Sequence, residues 1–188
     1  MPAPPQVKGT PLRSFLSFID NELTAEEREQ VFAKVPGDAA ARLKSKQVLA
    51  TEFIPVSLLN RITEEAARVK GEPVEQFARR AGRFGARDAV NTVMRFLLRV
   101  FTPDSLIQKG ASVWKSVYDR GELEAIREEG TRARVILRDF PSEPAGCARI
   151  TGWIEEMTAM TNVSNIAVRQ VKCFAKGAPA CEWEITWK

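Results

Sequence analysis

Residues 164–188, SNIAVRQVKCFAKGAPACEWEITWK, decide the fold. The segment alternates up to Cys173, turns through Gly177-Ala178-Pro179, and alternates again from Cys181 to the end. Period-two alternation on both sides of a Gly/Pro turn predicts a β-hairpin. In its second strand Cys181, Trp183, Ile185 and Trp187 fall on one face, and Glu182, Glu184 and Thr186 on the other. Two tryptophans on one face require an apolar cover from elsewhere in the chain.

Working outward, Cys147, Ile150, Ile154 and Met157 recur at helical spacing and predict a helix with a narrow apolar stripe. Before it, residues 122–129 and 131–140 flank Gly130 as a second pair of strands, the latter rich in Val135, Ile136 and Leu137. The N-terminal part is helical. Leu12, Phe15, Leu16 and Ile19 mark one helix, and Thr24 with Glu27 forms a capping box for the next. Asp38 caps a short third helix, and another opens at Pro55 and stops at Gly71. A longer pattern covers residues 73–101, interrupted by Gly82 and Gly85, and a further helix follows the Thr102-Pro103-Asp104 break. Each interior glycine costs ~1 kcal/mol relative to alanine, so the pair marks a kink or a close helix contact. The expected class is α+β: N-terminal helices packed on a four-stranded antiparallel sheet, with a helix between the two hairpins. Residues 1–10 read as a Pro-rich disordered leader and residues 11–188 as a single domain.

Composition narrows the function. Apolar residues at 44% and charged residues at 28% of 188 are ordinary for a soluble globular protein. The net charge of +4 is spread without a block of five like charges, so neither nucleic acid nor anionic membrane is an expected partner. There is no apolar run of the ~18–20 residues a membrane span needs, and no secretory signal. Three cysteines make a disulfide framework improbable, and the cytoplasm is the expected location. The chain has no histidine, which excludes His-ligated haem, His-containing triads and His-based zinc enzymes. No P-loop, GxGxxG, GxSxG or HExxH motif occurs, so the expected module is not an enzyme.

Residues flanking a hairpin loop lie close together, which brings Cys173 near Cys181, and the late helix carries Cys147 to the same corner. Three converging thiols with a fourth donor suit zinc. Three small apolar core residues are the other reading, and C-x7-C is not a zinc-finger spacing. Phe96, Trp114, Tyr118 and Trp153 line a pocket between the long helices and the sheet on one reading, and are ordinary core aromatics on the other. Arg79, Arg80, Arg83 and Arg87 form either a basic stripe for a weak anionic partner or a solvated helix face.

The terminal pattern, CFAKG at 173–177 with Cys181 and WEITW at 183–187, resembles the end of the 4-vinyl reductase type domain. That domain belongs to the superfamily of haem-dependent nitric-oxide sensors and TRAPP vesicle-tethering subunits. PVSLL at 55–59, RAGR at 80–83, TPDSL at 102–106, WKSVYDRG at 114–121 and Gly152 are similar to a set of myxobacterial paralogues, so the resemblance covers roughly residues 50–188. In the related phenol-responsive activators three cysteines and a glutamate hold a structural zinc. The resemblance carries those ligands to Cys147, Gln170, Cys173 and Cys181. Gln170 departs from the carboxylate, which leaves the site weakened, completed by water or Glu182, or empty. Bringing Gln170 and Cys173 to one side also requires a bulge. The missing histidine counts against both a phenol site and haem. The resemblance implies a homodimeric, non-enzymatic regulatory module that binds a small apolar ligand or a protein partner. A ligand-free interaction scaffold is the alternative, as in the TRAPP subunits.

Overall fold

The computed structural model describes residues 3–37, 39–90 and 103–188. Strand β1 (Gln6–Lys8) pairs antiparallel with β2 (Phe53–Pro55), and Val7, opposite Ile54, is fully buried. This corrects the expected disordered leader. Three-residue strands are too short to show a period, and the partner of this one lies far downstream. The segment is also tied down by side chains: the Gln6 N–H donates to Asp119 Oδ1 at 2.8 Å, and Arg120 Nη1 to the Ala3 carbonyl at 2.6 Å.

Helix α1 (Gly9–Glu22) buries Leu12, Phe15, Leu16, Phe18 and Ile19. Helix α2 (Ala25–Phe32) opens on the capping box: the Glu27 N–H donates to Thr24 Oγ1 and the Thr24 N–H to Glu27 Oε2. Helix α3 (Ala39–Lys44) follows, and α4 (Val56–Lys70) ends at Gly71, whose φ of +71° is the left-handed cap that glycine adopts without strain. Helix α5 (Val74–Ala89) stops before Val90. The rest of the expected 73–101 pattern, Phe96 and the Asp38 cap lie outside the described residues. Helix α6 (Pro103–Val117) leads into β3 (Glu122–Arg127) and β4 (Arg132–Arg138). Helix α7 (Pro144–Ala159) precedes β5 (Ala167–Lys172) and β6 (Cys181–Thr186).

The four long strands form one antiparallel sheet in the order β3-β4-β6-β5, as the α+β expectation has it. Trp183 on β6 sits opposite Val135 on one side and Gln170 on the other. It is fully buried, and its indole N–H donates to Thr151 Oγ1 at 2.8 Å. Trp187 is covered by the Arg127 guanidinium, 4.5 Å from the ring centroid. Glu182 is on the opposite face yet buried, because Arg134 and Lys172 close over its carboxylate at 3.1 and 2.8 Å.

Helices α5 and α7 cross with their backbones in contact. A Cβ on Gly82 would strike the Arg149 carbonyl, and one on Gly152 the Arg79 carbonyl. Three arginines of α5 then clamp the crossing, Arg79 and Arg83 on Glu155 and Arg87 on Glu156, while Arg80 ties α5 to Glu22 at the end of α1 and to Glu72 just before α5. Burial works against the charge on Glu155, but the hydrogen bonds from Arg79 and Arg83 outweigh it and hold its carboxyl below the usual range. The stripe is a helix–helix seam. No helix among the described residues is long and apolar enough to cross a membrane.

Candidate ligand cavity and thiol corner

The three thiols meet where α7 begins and the last two strands join. Cys147 occupies the first turn of α7, its N–H donating to the Glu143 carbonyl. Cys173 precedes a single 3-10 turn (Phe174–Lys176) closed by Gly177 at φ +86°, and Cys181 opens β6. Cys147 Sγ lies 3.6 Å from Cys181 Sγ and 4.0 Å from Cys173 Sγ, and all three sulfurs are within 4.8 Å of one another. The register of β5 shifts between Gln170 and Lys172, the irregularity that Gln170 and Cys173 need to share a side. Gln170 Nε2 donates to the Lys172 carbonyl at 3.0 Å.

These buried thiols are not equivalent. The hydrogen bond from Cys147 holds the Cys181 thiol down, to about 6, helped by the Phe174 N–H 3.3 Å away and opposed by burial. The same hydrogen bond, with burial, pushes the Cys147 thiol up.

A separate cavity of about 310 Å³ lies between α1, α5, α6, α7 and the sheet. Trp114, Tyr118 and Trp153 line it, together with Phe15, Ile150, Ile154, Met157, Ile185 and Trp187. Trp114 and Tyr118 stack at 4.0 Å, and Phe140 meets both edge-on at 5.0 and 5.4 Å. The Trp114 indole N–H donates to the Arg120 carbonyl. The exposed Asp88 and Lys109 contribute to the lining, as does the buried Ser14, whose hydroxyl has no hydrogen-bond partner among the described residues.

Sequence reasoning missed the polar group that matters most here. Arg149 is half-buried and lines the cavity. Its Nη2 donates to Asn60 Oδ1 at 2.8 Å and its Nη1 to Thr63 Oγ1 at 3.3 Å. Both acceptors are neutral, and no carboxylate among the described residues forms an ion pair with the guanidinium. Glu143 is held one residue away, on the Nδ2 of Asn60 at 2.9 Å. Burial pulls the Arg149 pKa down and pushes that of Tyr118 up. No sequence signal marked Arg149. It falls off the apolar stripe of α7, where an arginine reads as solvent-facing.

No family model and no curated sequence matches the chain. Solved structures do. It superposes on an H-NOX protein from S. oneidensis in the Fe(II)NO state with a TM-score of 0.73 at 13% identity, over 96% of this chain and 99% of that one. A variant H-NOX protein from K. algicida, in the unliganded Fe(II) state, gives 0.72 at 10% identity over 96% of both chains. A variant of the T. tengcongensis H-NOX protein gives 0.73 at 15%, over 96% and 97%.

These matches overturn the expected cofactor set. The expectation of no haem rested on the missing histidine, but the structures sharing this fold are H-NOX proteins, two of them in Fe(II) states. The lack of imidazole restricts how an iron porphyrin would be held without excluding one. The Tyr118 phenol and the Met157 thioether at the cavity wall are both known haem-donor types. Zinc is withdrawn as well. The matches name iron, and Gln170 offers a neutral amide, itself donating to the Lys172 carbonyl, in place of a ligand carboxylate. What this chain shares with the matched proteins is the fold, that of the H-NOX domain.

Proposed function

We propose that this chain is a non-enzymatic sensory module that holds a small, largely apolar molecule between its helices and its sheet. The cavity carries the reading. Its 310 Å³ meets the lower end of the ~300–1,000 Å³ typical of small-molecule sites, and three tryptophans stand in its wall. The shared fold with H-NOX proteins supports sensing, and the resemblance to 4-vinyl reductase type domains supports a small-molecule branch of that superfamily. The chemistry at the wall supports a binding role over catalysis. Arg149 is a permanent cation and Tyr118 a phenol that burial keeps protonated, so neither shuttles protons near neutral pH.

Titration with decan-1-ol, followed by tryptophan fluorescence, tests this. Saturable quenching is expected in the parent chain and its loss in Ile150→Phe, which fills the cavity from α7. No saturable response, together with a bare-chain mass in native mass spectrometry, would overturn the reading. Pairing of two copies belongs to the same proposal. Light scattering should return twice 21.0 kDa, and a monomer at micromolar concentration would remove that part alone.

A further inference from the structure

Resting on that reading of the cavity, we infer that its occupant is an amphiphilic monoanion: a medium-chain carboxylate whose head meets Arg149 while its chain fills the apolar space. The argument begins with the charge. A guanidinium withdrawn from water loses several kcal/mol of solvation, and neutral hydrogen-bond partners do not return it. Arg149 is half-buried, against a largely apolar wall, and is held by Asn60 and Thr63 with no ion-paired carboxylate among the described residues. Those two residues are themselves almost completely buried, at 1% and 0% exposure. They fix the planar fork from the α4 side and leave the rest of its five N–H donors for something else.

That something lies in the cavity, because Arg149 is part of its wall and the rest of the wall is largely apolar. A planar guanidinium pairs with a carboxylate by two parallel hydrogen bonds. The Tyr118 phenol in the same wall supplies a further donor. Ser14 adds an independent sign: it is 7% exposed, lines the same cavity, and its hydroxyl has no partner among the described residues. The carboxylate head, the one polar group of such an occupant, is what would meet it. Volume sets the length. Taking the ~30 Å³ share of a water molecule as the unit, 310 Å³ holds on the order of ten methylene-sized groups.

The test compares sodium decanoate with decan-1-ol, equal in chain length and differing in head charge, on the full chain by calorimetry. Decanoate should bind about ten- to hundredfold more tightly, the range of a charge-assisted hydrogen bond. Arg149→Gln should abolish that advantage, bringing decanoate down to the affinity of decan-1-ol in the same variant. The inference fails if the parent chain binds both probes equally, or if a folded Arg149→Gln keeps the preference. The parent-chain ratio decides the matter even if the variant does not fold. If neither probe binds, the cavity reading itself has failed. If the alcohol binds as well as the acid, only the inference about the head group has.

Discussion

Helix α7 packs in opposite ways on its two sides. Against α5 it leaves no room for a methyl group, since Gly82 and Gly152 each press on the other helix's backbone carbonyl. Around the 310 Å³ cavity the same helix contributes Arg149, Ile150, Trp153, Ile154 and Met157 to a wall that does not close. The residues alternate between the two roles along a few turns. The lesson is mechanical. Backbone contacts cannot relax by rotamer changes, so a joint of this kind fixes the spacing of α5 and α7 and keeps the neighbouring space from collapsing.

The largest effect should come from breaking the joint. In Gly82→Ala or Gly152→Ala the new methyl meets backbone and not a flexible side-chain end, so the helices must separate. A loss of about 3 kcal/mol is expected by urea denaturation, at the upper end of overpacking costs. Weaker binding of decan-1-ol should accompany it. A loss below about 0.5 kcal/mol would mean that the two helices slide freely, and the mechanical link between joint and cavity would be gone.

The thiol corner offers a second closed region to set against the cavity, and its test is pH. An ordinary thiol titrates near ~8.5, and Cys181 near about 6 in the fold. Below about pH 6 both states keep the proton and the site contributes nothing. Between about 6 and ~8.5 only the folded chain gives the proton up, so stability rises with pH. Above ~8.5 the unfolded chain releases its protons too, while Cys147, pushed up, still holds its own in the fold, so stability declines. The rise should be on the order of 2 kcal/mol, measured by denaturation under reducing conditions. Cys181→Ala should flatten it, and a parallel profile in that variant would rule the pair out as its source.

How much of this was legible depended on whether a residue's role is local. The terminal hairpin, the Thr24 capping box and the Gly71 stop follow from neighbours a few positions apart, and they stand where the pattern puts them. The meeting of Cys147, Cys173 and Cys181 follows once the hairpin and the helix above it are placed. The β1–β2 pair was illegible because three residues carry no period. Arg149 was illegible because its role depends on Asn60 and Thr63, which belong to a different helix and read as ordinary polar positions. The α5 arginines had two readings, and only the partners on other elements decided between them.

The seam beside the joint should yield a smaller change. Glu155 is 12% exposed at its side chain and serves both Arg79 and Arg83, which are themselves 39% and 44% exposed. Glu155→Gln removes the charge from one buried end of a half-solvated pair, so about 1 kcal/mol is the expected loss. High salt should shrink it. A salt-independent loss would point to packing of the Glu155 stem and not to its charge.

The smallest effect, and the only one of opposite sign, should come from Gly85, one turn along α5 from Gly82. A Cβ there meets only the Ser14 hydroxyl at 3.8 Å, an ordinary contact, and the residue lines the cavity. With no obstruction, the removal of backbone freedom from the unfolded chain dominates, and Gly85→Ala should gain up to ~1 kcal/mol. The same substitution three residues apart thus changes sign according to what lies opposite: a carbonyl in one case and open space in the other. The gain should come with slightly weaker decan-1-ol binding, since the methyl takes up part of the cavity. Were Gly85→Ala instead to cost as much as Gly82→Ala, the space beside it would be filled. The contrast between a closed and an open side of α7 would then be lost, together with the site built on it.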